Sequence, residues 1–104
     1  MNTEVLINGA VATMEMRGRF DFSAHREFKD AYMSLMQDHS VLVIDVNLSA
    51  VDYMDSSALG MLLMLRDRAQ AANKEVTLSK PSKVVAQILN VANFPKLFNI
   101  VETK

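Results

Sequence analysis

The sequence predicts an α/β domain, a mixed β-sheet with helices packed against it and an N-terminal β-hairpin. Three observations carry that expectation. Two β-prone stretches, 4–8 and 11–17, meet at Asn8-Gly9, a dipeptide suited to the positive φ angles of a tight hairpin turn. Val41 to Val46 is a nearly unbroken apolar run with β-branched residues, the pattern of a central strand buried on both faces. Beyond it strand-like and helix-like segments alternate, and strands separated by helices usually run parallel.

Taken in order, the second stretch sets Val11, Thr13, Glu15 and Arg17 against Ala12, Met14 and Met16, so one face of the hairpin is expected to be covered. Gly18 interrupts the alternation. Ser23 is placed to cap a helix in which Ala24, Phe28, Ala31 and Leu35 recur at helical spacing, ending near Gln37 or Asp38. After the run at 41–46, expected to lie in a sheet sandwiched or at least well covered, a second helix is read from Ser57 to Ala72. It ends near Asn73, which tolerates the left-handed conformation at a helix C-terminus. Glu75 to Leu78 reads as a strand, and Pro81-Ser82 starts a third helix with Val84, Val85, Ile88 and Leu89 as its apolar stripe. A short strand including Ile100 and Val101 completes the order β-β-α-β-α-β-α-β. Residues 1–104 are expected to form one domain, since a chain of this length buries about two thirds of its unfolded surface.

Composition narrows the function. Without cysteine, disulfides, thiolate chemistry and Cys-ligated metal sites are excluded. Eleven basic and twelve acidic residues are scattered without a run of one sign, so bulk charge draws neither nucleic acid nor an anionic membrane. The start Met1-Asn2-Thr3-Glu4 lacks the basic and apolar pattern of a signal peptide, and a cytoplasmic protein is expected. His25 and His39 belong to no nucleophile or zinc pattern, and neither a Gly-x-Ser-x-Gly elbow nor a glycine-rich phosphate loop is present. The expectation is a non-enzymatic protein with no cofactor and no metal.

The chemistry-bearing segment is Tyr53-Met54-Asp55-Ser56-Ser57-Ala58-Leu59-Gly60. It places a serine pair where a helix begins after a strand. Free N–H groups and the partial positive charge of a helix start receive an anion well, so a phosphate on Ser56 is a physically sensible switch. Ser57 caps or supports the helix. Asp55 either steers a kinase or holds the loop by accepting backbone N–H bonds, and a purely structural Asx turn is an equal alternative. Leu59, Met61, Leu62, Leu63, Met64 and Leu65 are apolar through more than a full turn, more than one face buries. Met61 and Met64 are therefore candidates for partner contact, because flexible thioethers suit adaptable surfaces.

With Gly18-Arg19-Phe20-Asp21 after the second strand, Asp55-Ser56-Ser57 between strand and helix, and the late Leu89, Phe94 and Leu97-Phe98, the whole chain resembles a stand-alone STAS domain of the bacterial anti-sigma factor antagonist family. The resemblance implies that Ser56 is phosphorylated by a partner serine kinase that is also an anti-sigma factor, with a histidine-kinase-like ATPase fold, and dephosphorylated by a serine phosphatase. It implies partner switching in transcription control: the unphosphorylated form sequesters the kinase, and phosphorylation releases it. Asp21 falls on the partner surface near the loop or is a simple turn residue. Ala58 stands where family members often have glycine, which favours the helix by up to ~1 kcal/mol. Two alternatives stay open: a STAS accessory subunit of a membrane lipid-transport ATPase, and a nucleotide- or anion-binding module.

Overall fold

The computed structural model describes residues 2–101. Along the chain run β1 (Asn2–Asn8), β2 (Val11–Phe20), α1 (His25–Met36), β3 (Val43–Met54), α2 (Ser56–Ala71), β4 (Glu75–Ser79), α3 (Lys83–Val91) and β5 (Asn99–Val101), with single 3-10 turns at Phe22–Ala24 and Phe94–Lys96. The strands form one sheet in the order β1-β2-β3-β4-β5. β1 is antiparallel to β2, and every later pairing is parallel. The hairpin turn is Gly9-Ala10, closed by Asn8 opposite Val11, and Gly9 takes φ +62°. Asn8 is thus the last residue of the strand.

From β2 onward each crossover moves one strand further in the same direction. Right-handed crossovers that all step the same way deliver their helices to one side of a sheet. The core lies on that side. Ala12, Met14, Met16 and Phe20 of β2, Ile44, Val46 and Leu48 of β3 and Leu78 of β4 are buried against Phe28, Tyr32, Leu35, Leu62, Leu65, Val85 and Leu89 of the helices. Phe20, Phe28 and Tyr32 form an aromatic run with centroids 5.0 and 5.4 Å apart.

The opposite face corrects the expectation of a strand buried on both sides. Thr13, Glu15, Asp45, Asn47, Thr77, Ser79 and Lys80 line an open depression there of about 510 Å³. Within the apolar run, Val43 is only half-buried on this side while Ile44 and Val46 face the helices.

β3 also continues well past Val46, to Met54. Its pairing with β2 shifts between Glu15 and Arg17 and again between Gly18 and Arg19. At each shift β3 carries an extra residue, so its buried positions change from every second residue (Ile44, Val46, Leu48) to every third (Leu48, Val51, Met54).

The helix starts differ from the sequence reading in small ways. Ser23 does not cap α1. Asp21 caps the preceding 3-10 turn, accepting from the Ser23 N–H at 3.0 Å. α2 begins at Ser56 and ends before Asn73, which has φ +60°. Ser82 caps α3, its hydroxyl oxygen accepting from the Val85 N–H at 3.3 Å.

Candidate functional site

The C-terminal ends of β2 and β3 lie side by side, with Arg19 paired to Tyr53 and Phe20 to Met54. The pairing passes directly into the start of α2, because the Asp55 N–H donates to the Phe20 carbonyl at 3.3 Å. Asp55 has an extended backbone (φ −108°, ψ −177°), and its Oδ1 accepts the Ala58 N–H at 2.9 Å. An aspartate fixed on both sides in this way is a side-chain N-cap, satisfying one of the donors that every helix start leaves free.

Ser56 is therefore the first residue of the helix, with its side chain exposed, while Ser57 is half-buried and Ala58 fully buried. The buried methyl of Ala58 belongs to the core face of α2, which continues through Met61, Leu62, Leu65 and Ala69. Met61 is only 6% exposed, so its side chain is part of the core and the expected partner contact through it is corrected. Met64 is 45% exposed and remains a surface residue. Leu62 is buried, whereas Leu59 and Leu63 are half-buried on the flanks.

Asp21 follows Phe20 directly and so lies beside the start of α2. Its carboxylate accepts from the Ser23 hydroxyl and N–H, and Arg19 Nε donates to its other oxygen at 3.2 Å. The Ser23 hydroxyl bond is the main reason its pKa is held below the ordinary aspartate value. Desolvation, the next largest influence, opposes it, and the Ser23 N–H and Arg19 each lower the value by less. The Arg19 guanidinium also sits 4.5 Å over the centre of the Tyr53 ring, a cation–π contact across the strand pair. Nothing in the spacing of the sequence announces this pair, because the two strands are brought into register only by the bulges.

Exposed apolar side chains lie on the turn after β2 and on α2 and α3. Phe22 is 72% exposed and stacks on His25 at 6.2 Å. Leu59, three residues after Ser56 on α2, joins Val84, Gln87, Ile88 and Val91 of α3 and Ala92 just beyond it in a groove of about 400 Å³. Gly60 is exposed on α2, and a methyl group built on it would meet no atom within 4 Å. A mid-helix glycine costs about 1 kcal/mol relative to alanine, so open space at this position is bought at the expense of helix stability.

Among the described residues, no group of three or more His, Cys, Asp or Glu side chains is placed to hold a metal ion, and no helix is long and apolar enough to cross a membrane.

Comparison with known proteins gives consistent matches. The family model described as "Mlab, STAS domain" matches residues 4–102. A STAS-domain containing protein of Pseudomonas aeruginosa (strain UCBPP-PA14) is 44% identical over 93 residues, spanning 89% of this chain and 90% of that protein. An anti-sigma factor antagonist of Mycobacterium paratuberculosis superposes with a TM-score of 0.86 at 17% identity, over 98% of this chain and 86% of that one. The phosphorylated form of the Bacillus cell fate determinant SpoIIAA superposes with a TM-score of 0.75 at 16% identity, over 99% of this chain and 93% of that one. At these identities the two structures establish a shared fold.

Proposed function

The chain belongs to the STAS family described as "Mlab, STAS domain", and from that membership we propose that it is a phosphorylation-controlled anti-sigma factor antagonist of the bacterial cytoplasm, with Ser56 as the switch. The supporting observation is the placement of Ser56, an exposed hydroxyl on the first turn of α2 beside the apolar groove of Leu59, Val84 and Val91. In the unphosphorylated state this surface docks on a serine kinase that doubles as an anti-sigma factor and frees that protein's usual target. Met64 contributes apolar contact, while Asp55 and Ser57 keep the helix start in shape and Asp21 borders the docking area.

Phosphorylation puts about −1.5 to −2 charges in the middle of that contact. Turning a complex from nearly all bound to nearly all free needs about 5.5 kcal/mol of differential affinity. A misplaced charge in an interface costs about 2–5 kcal/mol, so the phosphate supplies most of the switch and lost apolar contact the remainder. No rearrangement of the fold is needed. A serine phosphatase resets the cycle, and the protein itself performs no catalysis. The test is capture of partners from host lysate by wild type, Ser56→Ala and Ser56→Asp: the alanine form retains a kinase-like ATPase or anti-sigma factor and the aspartate form loses it. Equal retention by both variants refutes the switch.

A second reading is favoured by the family description, which carries the name Mlab. In it the domain is an accessory subunit of a membrane lipid-transport ATPase and Ser56 matters only sterically. The same capture separates the two, because a transporter ATPase would be held alike by all three forms.

A further inference from the structure

We propose that β1 is a self-association edge, through which two copies of this chain pair antiparallel into one continuous sheet. The inference is independent of the switch at Ser56 and starts from the contrast between the two edges of the sheet. β5, at one edge, covers three of the described residues, Asn99–Val101. β1, at the other, is seven residues long, Asn2-Thr3-Glu4-Val5-Leu6-Ile7-Asn8, with neither proline nor lysine and a single charge. Sheets normally blunt exposed edges by shortness, proline, lysine or a bulge. β1 uses none of these, its pairing with β2 is regular throughout, and Val5, Leu6 and Ile7 are 37%, 54% and 53% exposed.

The hairpin fixes which backbone groups are free. Gly9 has positive φ and Ala10 does not, the arrangement of a two-residue II′ turn, so Asn8 and Val11 form the closing hydrogen-bonded pair. Antiparallel pairs alternate between bonded and non-bonded. Asn2, Glu4, Leu6 and Asn8 thus bond inward to β2, and the N–H and C=O groups of Thr3, Val5 and Ile7 point outward.

Those outward groups are self-complementary about a two-fold axis at Val5. Val5 then faces Val5 of the second copy, and Thr3 faces Ile7 of the second copy, each as a hydrogen-bonded pair. On the alternate rows Glu4 faces Leu6 and Asn2 faces Asn8. No like charges oppose one another, and Glu4 already has Arg17 of its own chain 3.6 Å away. This is an isologous contact of the kind that closes as a dimer.

The side chains give the apolar component. Val5 and Ile7 lie across from Met14 and Ala12, both fully buried, so they continue the core face of the sheet beyond β2. In the single chain that continuation is partly bare. The same residues of a second copy extend it and cover it.

The test is sedimentation of the full chain over a concentration series, combined with amide hydrogen exchange by NMR. The expected result is a concentration-dependent rise from 11.6 kDa to twice that mass. The amides of Thr3, Val5 and Ile7 should become protected in step with it, whereas that of Leu6 is protected throughout. Val5→Lys, which sets two ammonium groups face to face at the axis, should abolish the dimer and leave the far-UV dichroism unchanged. The proposal is overturned by a chain that stays monomeric with those amides open at every concentration. It is equally overturned by a dimer that survives Val5→Lys, or by protection appearing at the α2–α3 groove instead. The exchange measurement uses the wild type, so it decides the matter even if Val5→Lys fails to fold.

Discussion

Asp55→Ala removes the side chain that caps α2 at the single position between β3 and α2. The carboxylate accepts a single backbone bond, from the Ala58 N–H at 2.9 Å, in a half-buried position. Loss of an N-cap of this kind costs about 1 kcal/mol, within a range of roughly 0.5–2. Its negative charge at the helix start adds about 0.3–1 kcal/mol at low salt. The backbone bond from the Asp55 N–H to Phe20 survives the substitution. Asp55→Ala should therefore lose about 1–2 kcal/mol, and Asp55→Asn, which keeps the acceptor and drops the charge, about half of that or less. For a chain of this size each kcal/mol lowers Tm by roughly 4–8 °C. Urea titration followed by circular dichroism, at low and high salt, separates the two contributions. If Asp55→Asn is as damaging as Asp55→Ala, or if alanine costs nothing, the cap does not hold the site and the argument from its geometry fails.

Met61→Ala should destabilise the fold by about 2–5 kcal/mol, as for other buried methionines, whereas Met64→Ala should stay within about 0.5 kcal/mol of wild type and weaken partner capture. Gly60→Ala should stabilise the chain by up to ~1 kcal/mol, measured by urea titration, and reduce capture if a partner sits close to the helix there. Ser23→Ala should raise the pKa of Asp21 toward its ordinary value, read from the pH dependence of its carboxyl carbon resonance. Because the folded-state pKa of Asp21 is the lower one, its stabilising contribution is complete above the ordinary value of 3.8 and is lost as the pH falls through the folded-state value. Ser23→Ala should narrow that acid-side loss.

The order of elements was legible because each left a local signature. Gly9 marked the hairpin, Asn73 the end of α2, and Pro81-Ser82 the start of α3. The segment that carries Ser56 was legible for the same reason, since cap and helix are neighbours in sequence. The capping residues are not legible at Ser23 or at the Ser56–Ser57 boundary, where Asp21 and Asp55 take the role, because aspartate and serine are near-equal caps and only the backbone decides between them. The length of β3 was hidden by its bulges, which replace the period of two with a period of three at Leu48, Val51 and Met54. The bare face of the sheet was hidden by the apolar run at 41–46, since a period-two pattern filled with valine and leucine on both sides does not reveal which side is open.

Long-range contacts left no local trace at all. Lys74 is 7% exposed, and its ammonium donates to the carbonyls of Asp38 and Val41, so a residue that reads as surface charge ties the loop before β3 to the end of α2. Met61 and Met64 differ in burial although they are chemically identical and three residues apart. Their difference follows from where the sheet lies, which the helix pattern alone does not fix when nearly every position is apolar.

Asp55 is the only residue between β3 and α2, and its backbone N–H and side chain are both engaged. The chain around Ser56 has no slack. Under the proposed switch, a kinase that draws an extended peptide into a cleft would find nothing to draw and would have to read the folded surface made by the ends of β2 and β3 and the first turn of α2. A short peptide copied from this stretch would keep the letters and lose the shape.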